Sequence, residues 1–147
     1  MTRFLLDRDV LSAAETPRGN PHVRTWIRGL PITDLFISSV TVMEARKGFA
    51  RLQANARNPA DIGEILAYQT SFDELVTGFD ERILVIDRPV AERWGEMLGR
   101  REANVMDTAI AATAAVHGLV VATRNLRHFR GRGVRLLDPF KARPIIE

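Results

Sequence analysis

Three acidic residues in this chain each adjoin an apolar segment. Asp7 closes the first apolar run, Glu44 follows the second, and Asp107 precedes a helix-like run rich in alanine. Carboxylates in apolar surroundings are costly unless they are paired. Proteins hold hard cations such as Mg²⁺ with a few carboxylates and water. If the fold gathers these three acids, they predict a divalent-cation site and an enzyme that acts on phosphates.

Each acid also has a purely structural interpretation. Thr41 and Glu44 have the spacing of a capping box, in which the glutamate accepts a hydrogen bond from an orphan backbone N–H, and Asn104 with Asp107 could act similarly. Asp7 could cap the helix that follows it. The structural and the chemical interpretation both stay open for each acid taken alone. The positions of the three acids in the fold distinguish between them.

Short apolar runs alternate with helical patterns along the chain. The apolar runs predict strands at residues 3–6, 35–37, 83–86, 119–122 and 134–137. Helical spacing and breakers predict helices from residue 10, over 23–30, over 42–52, over 58–79, from 89 through 98, and over 104–118, with a break at Pro17, Gly19, Asn20 and Pro21. Short, unalternating strands separated by helices are typical of an α/β fold with a mainly parallel sheet covered on both faces.

Ligands of such open sheets bind beyond the carboxyl ends of the strands. The predicted strands bring several polar residues to that edge. They are Asp7, Glu44, Asp107, Thr123, Arg124 and Asn125. Three acids chosen independently as helix caps need not meet at one edge, so this placement favours the cation site.

Composition indicates a single domain spanning residues 1–147. The chain has 46% hydrophobic residues and no internal repeat or linker, which suits one compact core. Its net charge is +3, and the basic side chains are nearly all arginine, which favours planar contacts to phosphate. Cysteine is absent, so disulfides and thiolate metal sites are excluded. The sequence shows no secretory leader and no membrane-spanning run, so we expect a cytoplasmic protein without membrane contact.

Four segments of the chain carry a family resemblance: 5–12 (LLDRDVLS), 39–48 (SVTVMEARKG), 107–114 (DTAIAATA) and 123–129 (TRNLRHF). In this order they resemble the motifs of PIN-domain ribonucleases, and the closest resemblance is to toxins of the VapC or FitB type. With the terminal LDPF at 137–140, the resemblance covers essentially the whole chain.

The resemblance implies a three-layer α/β/α sandwich with Mg²⁺- or Mn²⁺-dependent endoribonuclease activity. It carries over Asp7, Glu44 and Asp107 as catalytic metal ligands. It also implies the toxin role in a type II toxin-antitoxin pair, with RNA as substrate, a VapB-like antitoxin as partner, a homodimer, and DNA contact only through the antitoxin.

Three positions depart from the family pattern. Arg8 and Asp9 stand where Thr or Ser and then Asn are usual, and His128 stands where a fourth acid is common. Asp9, Thr123, Asn125 and His128 are therefore candidates to support the ligands or to hold a second cation. We hypothesise one tightly held metal and a preference for Mn²⁺, since imidazole is a better ligand for Mn²⁺ than for Mg²⁺.

Arginines near the predicted ligand edge are candidates to bind RNA phosphate. Arg124 follows the fourth strand, and Arg8 and Arg127 lie in neighbouring motifs. Arg8 could instead point into the acidic site. A basic rim for single-stranded RNA could be extended by Arg130, Arg132 and Lys141.

Two other functions remain as alternatives. Asp7 and Asp9 match the Asp-x-Asp start of haloacid-dehalogenase-type phosphatases, with Asp7 as nucleophile, but that reading leaves Glu44 and Asp107 unexplained. The chain could also be a catalytically impaired PIN-like protein that binds RNA or a partner.

Overall fold

The computed structural model describes residues 1–15 and 19–147. Within these residues, five strands and seven helices follow one another, with a single turn of 3₁₀ helix before each of the second and third strands. In chain order they are β1 Phe4–Leu6, α1 Arg8–Glu15, α2 Pro21–Arg28, a 3₁₀ turn Ile32–Asp34, β2 Leu35–Ser38, α3 Ser39–Ala54, α4 Pro59–Phe79, a 3₁₀ turn Asp80–Arg82, β3 Ile83–Leu84, α5 Arg88–Arg100, α6 Val105–His117, β4 Val120–Ala122, α7 Leu126–Phe129 and β5 Leu136–Leu137.

The strands form one sheet in the order β3-β2-β1-β4-β5, and every neighbouring pair is parallel. β1 is therefore the central strand, and the carboxyl ends of all five strands lie at one edge. The expected parallel sheet is confirmed. Among the described residues, no helix is long and apolar enough to cross a membrane.

Alternate residues of each strand enter separate cores on the two faces of the sheet. In β1, Phe4 and Leu6 join the core built with α1, α2, α3 and α4, whereas Leu5 faces the core built with α5, α6 and α7. In β4, Val120 and Val121 divide in the same way. The result is the expected three-layer α/β/α sandwich, because side chains of a strand point alternately to opposite faces.

The ends of the elements differ from the sequence expectations in places. β3 stops at Leu84, and Val85 is 59% exposed, so the apolar run continues beyond the sheet. The short helix α7 was not predicted, because four residues carry too little periodicity to be recognised. The predicted break between α1 and α2 is present at Gly19 and Asn20, while Pro17 lies outside the described residues.

Arg132 holds the connection between α5 and α6. Its side chain is 6% exposed and donates to the carbonyls of Met97 (2.8 Å), Arg101 (3.0 Å) and Ala103 (2.8 Å). These carbonyls belong to the end of α5 and the loop that leads into α6. The expectation that Arg132 extends an exposed basic rim is therefore wrong, because its guanidinium satisfies buried backbone acceptors.

Replacing Arg132 with Ala should lower the free energy of unfolding by about 3 kcal/mol, because three hydrogen bonds from a charged donor and the packing of a buried side chain are lost. The matched control is Arg135→Ala, which removes an exposed arginine three positions away and should cost no more than about 0.5 kcal/mol. Urea unfolding of both variants measures the difference. Equal stabilities of the two variants would contradict the structural role of Arg132.

Candidate active site

Asp7 occupies the carboxyl end of the central strand and is 5% exposed. Its backbone N–H donates to Ala122 O (2.9 Å), which ties it to β4. Its Oδ2 accepts from the Thr123 hydroxyl (2.8 Å), and its Oδ1 accepts from the Arg8 N–H (2.9 Å). The capping interpretation of Asp7 is thus partly correct, since one oxygen receives the first N–H of α1, while the other oxygen has a partner across the sheet edge.

Burial raises the pKa of the Asp7 carboxyl from about 3.8 to about 6. The Thr123 hydrogen bond opposes that rise, and the charge of Asp107 adds to it. Asp107 therefore lies near enough to Asp7 to destabilise the ionised form of the Asp7 carboxyl.

Glu44 lies in the second turn of α3 and does not form the capping box. The helix begins at Ser39, and the cap is Ser38, whose hydroxyl accepts from the Val40 N–H (3.0 Å). Within the described part of the chain, Thr41 Oγ1 and Glu44 Oε1 are buried without a hydrogen-bond partner. The capping interpretation of this pair is wrong, and a buried carboxylate oxygen is left without a donor.

The pKa of Glu44 is raised, first by its burial and then by the charge of Asp107. Arg8 and Lys47 act in the opposite direction. Glu44 and Asp7 therefore share one neighbour, Asp107, whose negative charge disfavours the ionised form of both.

Asp107 lies in the first turn of α6 and is bonded to His128. Asp107 Oδ2 is 2.8 Å from His128 Nδ1, and their side chains are 20% and 31% exposed. Asn104, the residue before the helix, has φ +48° and makes no side-chain cap bond. The capping interpretation is wrong here too, and His128 belongs to the site.

The remaining polar candidates form hydrogen bonds between the segments that follow β1 and β4. The Asn125 N–H donates to Thr123 Oγ1 (3.0 Å), and the Asn125 amide donates to Asp9 Oδ2 (3.2 Å). Thr123, Asn125 and Asp9 thus lie together beside Asp7. Asp9 also raises the pKa of Asp7 and that of Glu44.

The three candidate phosphate-binding arginines lie in different environments. Arg124 is exposed, and its guanidinium lies 3.8 Å from the centroid of the Phe140 ring. Both residues line an open cleft of about 570 Å³ that also includes Asp9. Arg127 is exposed on α7, whereas Arg8 points towards α3.

Two residues of this region escaped sequence reasoning. Phe140 and Gly48 each lie in a segment that resembles a family motif, but neither side chain predicts a chemical role. The further signal for Gly48, which lies against the Arg8 side chain, is the presence of glycine inside a predicted helix.

The carboxylate oxygens of this region are the type of ligand that binds a hard divalent cation, although their side chains do not form a preassembled ligand group. Among residues 1–15 and 19–147, no three His, Cys, Asp or Glu side chains form a group that could hold a metal ion. Crowded carboxylates repel one another, and Asp7 and Asp107 are engaged with Thr123 and His128. The buried Glu44 Oε1 that lacks a donor is the observation that fits a cation, because such an oxygen is costly unless something binds it.

The parallel sheet and the acidic residues beyond its central strand define an α/β protein with a carboxylate site at the sheet edge. The PIN domain family model matches residues 4–133, so this chain belongs to the PIN domain family.

Similar proteins include Toxin FitB of Neisseria gonorrhoeae, which is 33% identical over 142 residues, covering 93% of this chain and 98% of FitB. VapC ribonuclease Y4jK of Sinorhizobium fredii is 27% identical over 144 residues, covering 94% of this chain and 98% of that protein. The crystal structure of DNA-bound VapBC from Salmonella typhimurium contains a chain that is 30% identical, with a TM-score of 0.67 and coverage of 95% of this chain and 99% of that chain. The resemblance to VapC and FitB toxins is therefore confirmed.

Replacing Asp7 with Asn should stabilise the protein at pH 8 when EDTA removes divalent cations. The pKa of the folded carboxyl is raised to about 6, so its favourable contribution is complete below about pH 3.8 and is lost as the pH rises through 6. A rise of about two pKa units corresponds to roughly 3 kcal/mol of unfolding free energy. We expect the substitution to raise the free energy of unfolding by about 2 kcal/mol, because a single amide oxygen accepts the Thr123 and Arg8 N–H hydrogen bonds less well than two carboxylate oxygens do.

Urea unfolding of wild type and Asp7→Asn at pH 8.0 and pH 4.5 measures this effect. The gain should largely disappear at pH 4.5, where the wild-type carboxyl is protonated. A variant that is less stable at both pH values by the same amount would contradict the assigned burial cost.

Proposed function

We propose that this protein is a divalent-cation-dependent endoribonuclease and the toxin of a toxin-antitoxin pair. The observation that carries the proposal is the group of carboxylates beyond the central strand, in which Asp107 raises the pKa of both Asp7 and Glu44 while Glu44 Oε1 lacks a donor. The names of the relatives, a toxin and a ribonuclease, support it.

Asp7, Glu44 and Asp107 would hold the cation, which is Mg²⁺ or Mn²⁺ by the preference of those ions for oxygen donors. When bound, such a cation would polarise a phosphodiester oxygen and make a coordinated water easier to deprotonate. No side-chain nucleophile is then required. The haloacid-dehalogenase alternative is not favoured, because both oxygens of its nucleophile Asp7 accept hydrogen bonds and the side chain is buried.

The other residues of the site would hold these carboxylates in place. The Thr123 hydroxyl donates to Asp7 and is itself fixed by the Asn125 N–H. His128 fixes Asp107. A carboxylate that is already held in one orientation loses less conformational freedom when it binds a cation.

The cleft beside the acids would take the RNA strand. Arg124 is exposed there and can meet a phosphate, and the adjacent Phe140 ring offers an apolar face. Arg127 is exposed on the neighbouring helix and can contribute a second backbone contact. Contacts of this kind make binding strongly dependent on salt.

The partners of the protein would be a VapB-like antitoxin, a second copy of the chain, and DNA only through the antitoxin. The VapBC complex of Salmonella typhimurium, which is bound to DNA, supports the antitoxin and the indirect DNA contact. The homodimer follows from the family resemblance.

Loss of catalysis is the test of the proposal. Asp7→Asn and Asp107→Asn should each slow cleavage of single-stranded RNA in 5–10 mM Mn²⁺ by more than about 100-fold, the scale on which a transition-state stabiliser matters. The matched control is Asp73→Asn, since Asp73 is a half-exposed aspartate on α4 that pairs with Arg46 (2.9 Å), and the cleavage rate of this variant should stay within about twofold of wild type.

The same variants separate the enzyme from the binding-protein alternative, which is favoured by the engagement of Asp107 with His128. If wild-type protein binds RNA but cleaves none of a panel of RNAs with Mg²⁺ or Mn²⁺, and Asp7→Asn leaves growth inhibition unchanged, the binding protein is correct.

A further inference from the structure

Arg8 is a basic residue at a position where a helix disfavours one. It is the first residue of α1, and its N–H donates to Asp7 Oδ1 (2.9 Å). The positive end of a helix dipole repels a cation in the first turn. The charge of Arg8 therefore needs a compensating environment away from its own helix.

The Arg8 guanidinium lies in a notch on α3. A Cβ atom built on Gly48 would lie 2.6 Å from Arg8 Nη2 and 3.3 Å from Arg8 Cζ. The guanidinium therefore fills a space that exists because residue 48 carries no side chain. Glycine inside a helix weakens it, so the notch is present despite a cost to α3.

The notch lies next to a candidate metal ligand. Gly48 follows Glu44 by four residues, so the two lie on the same face of α3. The Arg8 guanidinium at Gly48 therefore lies about one helical turn from Glu44, where a positive charge opposes the binding of a further cation. Among the described residues, no carboxylate oxygen lies within 4.0 Å of the Arg8 guanidinium, so its charge acts without a direct ion pair.

We propose that Arg8, seated in the Gly48 notch, is a built-in positive charge of the carboxylate site that limits the site to one divalent cation and weakens the binding of that cation. Arg8 thus controls how many cations bind and how tightly, and it is neither a ligand of the cation nor a contact to RNA. The inference rests on the proposed function, because it concerns the same three carboxylates.

The test measures Mn²⁺ binding by calorimetry on the full-length protein after removal of metal with EDTA. Wild type should bind one equivalent. Arg8→Gln should bind the first Mn²⁺ about tenfold more tightly and take up a second equivalent, because one nearby charge shifts the affinity of a carboxylate for a cation on that scale. The matched control is Arg46→Gln, since Arg46 is an exposed arginine on α3, the helix that carries Glu44, and this variant should behave as wild type.

The substitution Gly48→Ala fills the notch and therefore tests the position of the Arg8 guanidinium separately from its charge. Gly48→Ala should displace the guanidinium and tighten Mn²⁺ binding about as much as Arg8→Gln does. In the Arg8→Gln background the same substitution should leave Mn²⁺ affinity unchanged. Unaltered Mn²⁺ affinity and stoichiometry in both Arg8→Gln and Gly48→Ala would overturn the proposal.

A measurement without cation separates failure of this inference from failure of the proposed function. Urea unfolding in EDTA of Arg8→Gln, Glu44→Gln and the double variant should show that Arg8→Gln shifts the midpoint when Glu44 is present and has little effect when it is Gln. Additive shifts would overturn the role of Arg8 even if wild type binds Mn²⁺ and cleaves RNA. If the effects of Arg8→Gln and Glu44→Gln on stability are coupled but wild type binds no Mn²⁺, the result would support the role of the Arg8 charge at this site. The same result would contradict the proposed cation-dependent function.

Discussion

The burial of one carboxylate at the end of the central strand is the constraint on which the site depends. β1 lies between β2 and β4 in a wholly parallel sheet, so the residue that follows it is enclosed on both sides. Asp7 occupies this position and has a pKa raised to about 6, which means that the fold holds an ionised group where it is unfavourable at neutral pH. Positions that destabilise a charge in this way are typical of functional sites.

Neighbouring groups compensate only in part for the negative charges that lie close together at this edge of the sheet. Thr123 donates to Asp7, His128 bonds Asp107, and Arg8 contributes a positive charge near Glu44. One Glu44 oxygen remains without a donor in the described part of the chain. The arrangement is that of a site whose negative charge is balanced incompletely by the protein itself, and a cation is the simplest group to complete the balance.

Sequence reasoning predicted the sheet and the edge because both depend on coarse patterns. Apolar runs such as Phe4–Leu6 are buried on both faces, which makes parallel strands visible in a single sequence. It could not decide whether Glu44 caps its helix, since that depends on α3 beginning at Ser39. It placed Arg132 on the surface because three distant backbone carbonyls, which no spacing reveals, determine its burial. The direction of Arg8 was open for the same reason, since it depends on contact with Gly48 across two helices.

Anomalous diffraction from crystals grown with Mn²⁺ shows directly where the cation binds. We expect a strong anomalous peak beyond the end of β1, within bonding distance of carboxylate oxygens of Asp7, Glu44 and Asp107. The peak should disappear in Asp7→Asn crystals grown in the same way. Mn²⁺ that binds elsewhere, or an unchanged peak in the Asp7→Asn crystals, would contradict the assignment of these carboxylates as the cation site.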